Sequence, residues 1–233
     1  MSEMEPLNAG RLPRALILLV WIKTKQPFRF RSTSRVGLLS KLGFCIKVKP
    51  YADVTEAHAM QLVAQRTYVP VPRVYCAFVH RGATYIVMSR IRGQMAWLRW
   101  KERSEASRRQ ILDQLSAMVS QLRSIPRPEG IGVANVDGGP IHDCRFPPES
   151  FLGPFATVQD FHRKLINCAT LDAHFGSPYE DLDELQGFYR NLDDNPVFTH
   201  GDLGNLNILV RGDKVDDELI NEFFVKNKHR SGE

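Results

Sequence analysis

The stretch "THGDLGNLNILV" (199–210) joins a polar loop to an apolar segment that is typical of a strand. Within it, His200, Asp202 and Asn207 stand at the spacing H-x-D-x-x-x-x-N. Phosphoryl transfer needs a carboxylate that accepts the proton of the acceptor hydroxyl and an oxygen ligand for Mg²⁺, and such a loop can aim both side chains into one cleft. The alternative is an ordinary polar turn before a buried strand, in which His200 is a core histidine bonded to backbone.

The composition is that of a globular protein that can bury a sizeable core, as one large domain or as two lobes. Of its 233 residues, 43% are hydrophobic and 24% are charged. The longest apolar run near the N-terminus, residues 15–21, is far too short to cross a bilayer. No small-residue cleavage site follows it, which argues against a secretory signal. We therefore expect a cytoplasmic protein without a membrane partner.

The cysteine spacing indicates neither a disulfide framework nor a zinc site. There is no C-x-x-C pair, and no histidine stands at zinc-ligand spacing. Reduced thiols are the expected state in a cytoplasmic protein. The four cysteines are Cys45, Cys76, Cys144 and Cys168.

The positive charge is concentrated at the N-terminus. Residues 1–50 hold ten Lys/Arg against two Glu, a balance of +8, so that the remainder carries −3 of the net +5. "FRFRSTSR" (28–35) interleaves aromatic and basic residues, as a nucleic-acid-binding surface does. An edge strand with solvated arginines explains the same pattern. We favour the edge strand and expect no nucleic-acid partner, because the rest of the chain is acidic.

The first half of the chain predicts a small β-rich unit with one helix. "LGFCIKVK" (42–49) is a strand candidate, and "DVTEAHAMQLVAQRT" (53–67) predicts a helix with Asp53 and Glu56 at capping-box spacing. "RVYCAFVH" and "TYIVMSRI", joined by Arg-Gly-Ala, predict a β-hairpin. The apolar face expected for the helix consists of Met60, Val63 and Ala64.

The second half predicts mostly helix. Residues 104–125 carry apolar side chains at i, i+3/i+4 spacing, and residues 157–171 begin with Thr157 as a candidate N-cap. Residues 179–192 are a further helix candidate, after which "THGDLGNLNILV" leads into a strand and a turn. A hinge near Arg90–Gly93 is expected between the two halves.

Lys47 and Glu56 have the spacing of a phosphate-binding clamp. A kinase needs a strand lysine that holds the nucleotide phosphates and a helix glutamate that fixes the lysine. Lys47 lies in the strand "CIKV", and Glu56 follows nine residues later in the first helical turn. Strand alternation places Lys47 and Lys49 on one face. The alternative is that both are solvent-facing lysines of an edge strand.

The segment "YIVMSRIRG" (85–93) has the character of a linker between lobes. The backbone at Ser89 to Ile91 could meet an adenine ring there. The segment also reads as the second strand of the hairpin, and the two interpretations are compatible.

The ordered set "IKVKPYADVTEAHAMQLV", "YVPVPRVY", "TYIVMSRIRG", "DGGPIHDCRF", "GPFATVQDFH" and "FTHGDLGNLNILV" resembles the aminoglycoside phosphotransferase/choline kinase-like family over residues 36–215. It is most similar to fungal proteins that carry this domain. The resemblance implies an α+β, protein-kinase-like two-lobe fold, with a small antiparallel β lobe containing one helix and a larger, mainly helical lobe. The implied domains are a basic N-terminal segment (1–35), a nucleotide-binding lobe (36–92), a helical lobe with the catalytic loop (93–215) and a divergent tail (216–233).

The resemblance also implies a function, the transfer of the γ-phosphoryl group of ATP to a small-molecule hydroxyl with Mg²⁺. Asp202 is similar to the catalytic base and Asn207 to a Mg²⁺ ligand. Lys47 is similar to the phosphate-holding lysine and Glu56 to its helix partner. The residues implied at the adenine are Met88, Ser89 and Ile91.

Two features depart from the family pattern. The strand after the catalytic loop is normally followed by one that reads like "GIIDWE" and supplies the principal Mg²⁺ aspartate, but here Asp216 and Asp217 lack the apolar-apolar-Asp context. Only Gly37 and Gly43 stand where a glycine-rich loop is expected. We therefore expect a C-terminally truncated chain with a partly helical tail. The alternative function is a catalytically dead module that binds nucleotide or protein.

Overall fold

The computed structural model describes residues 6–24, 35–39, 43–143, 151–172, 195–201, 203, 207–218 and 223–224. Their contacts divide the chain into two compact units. Unit 1 consists of Met1–Met118 and Leu203–Ile220, and unit 2 of Val119–Asp202 and Asn221–Glu233. Unit 1 therefore takes residues from both predicted lobes. The predicted domain boundaries stay predictions.

The described chain contains four α-helices, which are separated by groups of two or more strands. In chain order they are α1 (Arg11–Thr24), β1 (Arg35–Leu39), β2 (Phe44–Lys49), α2 (Thr55–Arg66), β3 (Val74–His80), β4 (Ala83–Ser89), β5 (Gln94–Met95), α3 (Glu105–Arg123), β6 (Ile141–His142), β7 (Phe151–Leu152), α4 (Val158–Asp172), β8 (Phe198–Thr199), β9 (Ile208–Arg211), β10 (Lys214–Glu218) and β11 (Phe223–Phe224). No helix in the described ranges has the length and apolar character needed to cross a membrane.

A four-stranded antiparallel sheet forms the centre of unit 1, in the order β1-β2-β4-β3. The predicted strand at 42–49 is confirmed as β2, and the predicted hairpin is confirmed as β3 and β4. Arg81 and Gly82 connect the hairpin with φ values of 50° and 75°. Two consecutive positive φ values suit the right-handed twist of the flanking strands.

The predicted helix at 53–67 is confirmed as α2, but its start and one face differ from expectation. Val54 occupies the N-cap position, and its own side chain makes no capping hydrogen bond. The predicted capping box is wrong because ion pairs with lysines of β2 engage the carboxylates of both Asp53 and Glu56. The apolar face includes Met60 and Val63 as predicted, whereas Ala64 is exposed.

The sequence did not predict α1. One face of this helix packs on the sheet, where Ile17 and Trp21 join a cluster around Phe78. Leu12 and Leu16 on its other side are exposed. An apolar run without polar alternation carries no helical period, and this is why the pattern gave no assignment. The edge strand expected at 28–35 lies outside the described residues, apart from Arg35 in β1.

A second sheet in unit 1, in the order β10-β9-β5, packs against α3. The predicted helix at 104–125 is confirmed as α3, and its Ile111 is fully buried against the strand residues Ile208 and Val210. The predicted strand and turn after Asn207 are confirmed as β9 and the turn to β10. The described parts of the predicted tail, in β10 and β11, are strand rather than helix.

Unit 2 has its own core beside α4. Val133, Ile141, Val158 and Phe161 form this cluster, and Val133 pairs with Phe155 through two backbone hydrogen bonds of 2.9 Å. The further helix expected at 179–192 lies outside the described residues.

Thr157 caps α4 as predicted. Its Oγ1 accepts a hydrogen bond from the backbone N–H of Asp160 at 3.0 Å and donates one to Asp160 Oδ2 at 2.8 Å. The Thr157 hydroxyl therefore satisfies one free N–H of the first helical turn, and the Asp160 carboxylate in turn accepts a hydrogen bond from that hydroxyl.

Replacing Thr157 with alanine should lower the free energy of unfolding by about 1 kcal/mol, because one helix N–H loses its acceptor. Urea denaturation followed by circular dichroism measures the change. Gln159→Ala, at an exposed position of the same helix turn, is the control and should be close to neutral. Equal stability of the two variants would contradict the assigned cap.

Candidate functional site

Lys47 and Glu56 form a largely buried ion pair at the centre of unit 1. Lys47 lies on β2, an inner strand between β1 and β4, and its Nζ is 2.5 Å from Glu56 Oε1. The side chains of Lys47 and Glu56 are only 12% and 3% exposed. The alternative of solvent-facing edge lysines is therefore wrong. The role of the pair in holding a nucleotide stays a prediction.

Lys49 shares this face of β2 and binds two carboxylates. Its Nζ lies 2.8 Å from Asp53 Oδ2 and 3.5 Å from Glu56 Oε2, and its side chain is 5% exposed. Strand alternation predicted the common face of the two lysines but not the Lys49–Asp53 pair. The signal available in the sequence was a pair of acidic residues, three positions apart, that follows directly after a strand with two lysines.

Hydrogen bonds hold Asp53 from both sides. Its Oδ1 accepts hydrogen bonds from the backbone N–H of Thr55, at 3.1 Å, and from the Thr55 hydroxyl. Its own N–H donates to Thr84 Oγ1 at 2.7 Å, and that hydroxyl donates to the Tyr51 carbonyl at 2.7 Å. Lys49 Nζ also lies over the Tyr51 ring, 4.9 Å from its centroid. The two hydrogen bonds of the Thr84 hydroxyl thus connect the turn between β2 and α2 to β4.

The charges of this cluster stabilise one another despite their burial. Burial by itself would raise the pKa of Glu56, but Lys47 and Lys49 outweigh it, and the pKa is lowered. The pKa of Asp53 is lowered in the same way, against its burial, chiefly by Lys49. Burial would lower the pKa of Lys49, yet the carboxylates of Glu56 and Asp53 raise it above its ordinary value. All three groups are therefore charged at neutral pH.

Burial also raises the pKa of Tyr51, and it outweighs the opposing effect of Lys49. Tyr51 therefore enters the cluster as a neutral phenol. Its ring faces the Lys49 ammonium, and its backbone carbonyl accepts the Thr84 hydroxyl.

Part of the backbone of the predicted linker is already engaged in hydrogen bonds within the protein. Met88 is buried within β4 and pairs with Cys45 of β2. The Ser89 N–H donates to the Arg73 carbonyl at 2.9 Å, and the Arg90 N–H donates to the Gly43 carbonyl at 2.9 Å. Among the described residues, the Ile91 backbone makes no hydrogen bond. Of the three residues implied at an adenine, Ile91 alone therefore keeps both backbone groups available within this part of the chain.

The end of the predicted catalytic loop lies beside the segment that follows the linker. Ala96 N–H donates to the Ile208 carbonyl at 2.9 Å, and β5 pairs with β9. A Cβ at Gly93 would lie 3.2 Å from both Leu209 Cβ and the Val210 carbonyl oxygen, so a side chain there would crowd the strand. Asn207, partly buried, directly precedes β9. Unit 1 thus contains Asn207 together with the lysine cluster and the linker.

Of the other two residues of the loop motif, the structure describes only His200, which belongs to unit 2. His200 is buried, with 3% of its surface exposed, which fits a core histidine. Asp202, the predicted catalytic base, lies outside the described residues. Its assignment therefore stays a prediction from the sequence.

The described residues do not by themselves make up a Mg²⁺ site. Asn207 offers one amide oxygen, and no three His, Cys, Asp or Glu side chains within the described ranges converge as metal ligands do. The predicted ligation of Mg²⁺ by Asn207 stays a prediction.

Comparison with known proteins identifies relatives of this fold. A family model described as "Phosphotransferase enzyme family" (APH) matches residues 50–216. Lys47 and Lys49 lie just outside this match. A search of curated protein sequences found no match.

Solved structures of similar fold include two aminoglycoside phosphotransferases and a putative fructosamine-3-kinase. A thermostable mutant of aminoglycoside phosphotransferase APH(4)-Ia, in a ternary complex with ADP and hygromycin B, has a TM-score of 0.57 and 16% identity over 89% of this chain and 72% of that one. The streptomycin–ATP–APH(2")-IIa ternary complex has a TM-score of 0.54 and 15% identity over 92% and 72%. A putative fructosamine-3-kinase from Haemophilus somnus has a TM-score of 0.55 and 14% identity over 86% and 66%.

These likenesses confirm the predicted kinase-like α+β fold. At such low identities they carry the fold alone, whereas the family match covers more than half of the chain. This chain therefore belongs to the phosphotransferase enzyme family.

Proposed function

We propose that this chain is an ATP-dependent kinase that transfers the γ-phosphoryl group to a hydroxyl of a small molecule. The observation that supports this most directly is the buried Lys47–Glu56 ion pair on β2 and α2. Two buried charges in the first turn of a helix and the middle of a sheet contribute little net stability, so a chemical role explains them better than a structural one.

Lys47 is better suited than Lys49 to hold phosphates. The Lys47 side chain is the more exposed of the two, and Glu56 is its one acidic partner among the described residues. Lys49 lies deeper, between two carboxylates. Phosphates can therefore reach Lys47 while Glu56 keeps the ammonium in place.

Three residues outside the lysine cluster would bind the adenine, accept the proton and ligate the metal ion. The Ile91 backbone would meet the adenine edge, and Asp202 would accept the proton of the acceptor hydroxyl as it attacks the γ-phosphorus. Asn207 would ligate Mg²⁺, which would neutralise charge on the phosphates when bound. The acceptor is a small hydroxyl compound, as in the complexes of the similar structures with hygromycin B and streptomycin. We place the protein in the cytoplasm, without nucleic-acid or membrane partners.

A specific observation favours a second candidate, a module that binds nucleotide or protein without turnover. Strand β10 follows β9 directly and reads Lys-Val-Asp-Asp-Glu, so it carries no aspartate behind two apolar residues. Its register shifts between Val215 and Asp217. A phosphotransferase without that second carboxylate would hold Mg²⁺ poorly and lose rate by about tenfold for each 1.4 kcal/mol of lost transition-state stabilisation.

A thermal-shift measurement tests the proposal against this alternative. We expect ATP with Mg²⁺ to raise Tm more than ATP with EDTA, because a bound ion would draw the phosphates onto Lys47 and Asn207. Lys47→Met should remove most of the shift, and Lys101→Met, at an exposed position, should not. Equal shifts with and without the metal would favour the non-catalytic module. No shift under any condition would exclude nucleotide binding and with it the proposed kinase.

A further inference from the structure

We infer that Lys49 is a positioning residue of the nucleotide clamp, a role that rests on the kinase function proposed above. Asp53 anchors Lys49, and Lys49 attracts the second carboxylate oxygen of Glu56. Glu56 thereby presents its first oxygen to Lys47 in a fixed orientation. The clamp then consists of four interacting charged side chains rather than a single lysine–glutamate pair.

The two oxygens of Glu56 face different lysines. Oε1 lies 2.5 Å from Lys47 Nζ, within hydrogen-bonding distance. Oε2 is fully buried and has no hydrogen-bond partner among the described residues, and Lys49 Nζ lies 3.5 Å from it. A glutamate carboxylate rotates easily about its last torsion. A cation on each side therefore restricts that rotation and keeps Oε1 directed at Lys47.

The cluster is also electrically balanced. Two lysines, Lys47 and Lys49, face two carboxylates, Asp53 and Glu56, in a region almost closed to water. When Lys47 turns toward the phosphates of ATP, Glu56 loses part of its attraction to that ammonium. A buried carboxylate without a cation is strongly unfavourable. Lys49 keeps Glu56 compensated at that moment, so that Lys47 can engage the phosphates without leaving an isolated negative charge.

Lys49 has an anchor that Lys47 does not share. Lys49 Nζ lies 2.8 Å from Asp53 Oδ2, and Thr55 binds the other oxygen of Asp53. Thr84 accepts the backbone N–H of Asp53. Asp53 is thus held to β4 through its backbone N–H and to the first turn of α2 through its carboxylate, and this anchored carboxylate keeps Lys49 in place. The arrangement gives the two lysines separate tasks.

The test compares ligands with and without phosphates. Isothermal titration calorimetry measures the Kd of ATP and of adenosine for the wild type and for Lys47→Met, Lys49→Met and Lys49→Arg, with Lys101→Met as the exposed control. We expect Lys49→Met to weaken ATP binding by about tenfold and to leave adenosine binding unchanged, because the loss acts through Lys47 on the phosphates. Lys49→Arg, which keeps the charge, should recover most of the ATP affinity.

The outcomes separate this inference from the proposed function. Wild-type ATP affinity in Lys49→Met, or an equal loss for ATP and adenosine, overturns the positioning role while Lys47→Met still tests the clamp. Failure of the wild type to bind either ligand overturns the kinase proposal itself. If Lys49→Met does not fold, the double variant Lys49→Met/Asp53→Asn removes the pair as a neutral unit and should show the same selective loss of ATP affinity. Unchanged selectivity in that variant overturns the inference.

Discussion

Asp202→Ala should abolish phosphoryl transfer and leave nucleotide binding almost intact. A carboxylate that accepts the hydroxyl proton contributes about 10²- to 10⁴-fold to the rate, and alanine cannot replace it. The nucleotide would be held instead by Lys47 and the linker, which the substitution does not touch. ADP release in the presence of a panel of small hydroxyl compounds measures the rate, and calorimetry with ATP measures the binding.

The matched control is Asp113→Ala, at an exposed position of α3. It should keep both the rate and the affinity of the wild type. Equal rates of ADP release in Asp202→Ala and the wild type would contradict the assignment of the catalytic base. A parallel loss of ATP affinity in Asp202→Ala would show that its carboxylate acts in binding rather than in the chemical step.

Glu56→Ala should lower the free energy of unfolding by about 3–5 kcal/mol, because it leaves Lys47 and Lys49 buried against the single carboxylate of Asp53. Urea denaturation at neutral pH measures the loss. Glu105→Ala is the matched control, since Glu105 also pairs with a cation, Arg109 at 2.8 Å, but both of these side chains are exposed. Its effect should stay below about 1 kcal/mol. Similar losses in the two variants would contradict the buried character of the Glu56 site.

The same ion pairs should make stability fall in acid. The ordinary pKa values of Glu56 and Asp53 are 4.5 and 3.8, and both pKa values are lowered in the folded protein. Their contribution is therefore complete above the ordinary values and is lost as the pH falls through the lower folded ones. The raised pKa of Lys49 acts in the opposite sense, and its contribution is lost only above its ordinary value of 10.5.

Denaturation at a series of pH values checks this dependence. From these groups alone, we expect no change in stability between about pH 6 and pH 9 and a steep loss below about pH 4. Lys49→Met should weaken the acid dependence, because the carboxylates lose a cation that lowers their pKa values. An unchanged slope in this variant would contradict the coupling of Lys49 to Asp53 and Glu56.

The local sequence pattern was sufficient to predict those elements whose formation depends mainly on their own residues. Two strand-like runs joined by a short Arg-Gly-Ala turn predicted β3 and β4, and helical spacing predicted α3. The cap at Thr157 followed from a hydrogen bond that spans three residues. The Lys47–Glu56 pair also follows from local order, since a strand and the next helix are joined by a short turn and lie close together.

The sequence pattern gave wrong predictions where a side chain has both local and distant possible partners. Asp53 and Glu56 had the spacing of a capping box, but both carboxylates turn to lysines of β2. A buried ammonium would otherwise remain unpaired, and the cost of that exceeds the stabilisation from a helix cap. The sequence pattern also could not predict the backbone hydrogen bonds of Ser89 and Arg90. Their acceptors, the carbonyls of Arg73 and Gly43, lie beside the linker only in the folded chain.

The sequence by itself determined the family and the order of its motifs, because the spacing in "THGDLGNLNILV" and the lysine–glutamate interval are properties of the chain alone. Only the tertiary structure decided which lysine faces which carboxylate. Lys47 and Lys49 are indistinguishable by strand alternation, and they differ only in how α2 and β4 close around β2. Burial removed water as an alternative partner, and so the depth of each ammonium determined which carboxylates it pairs with.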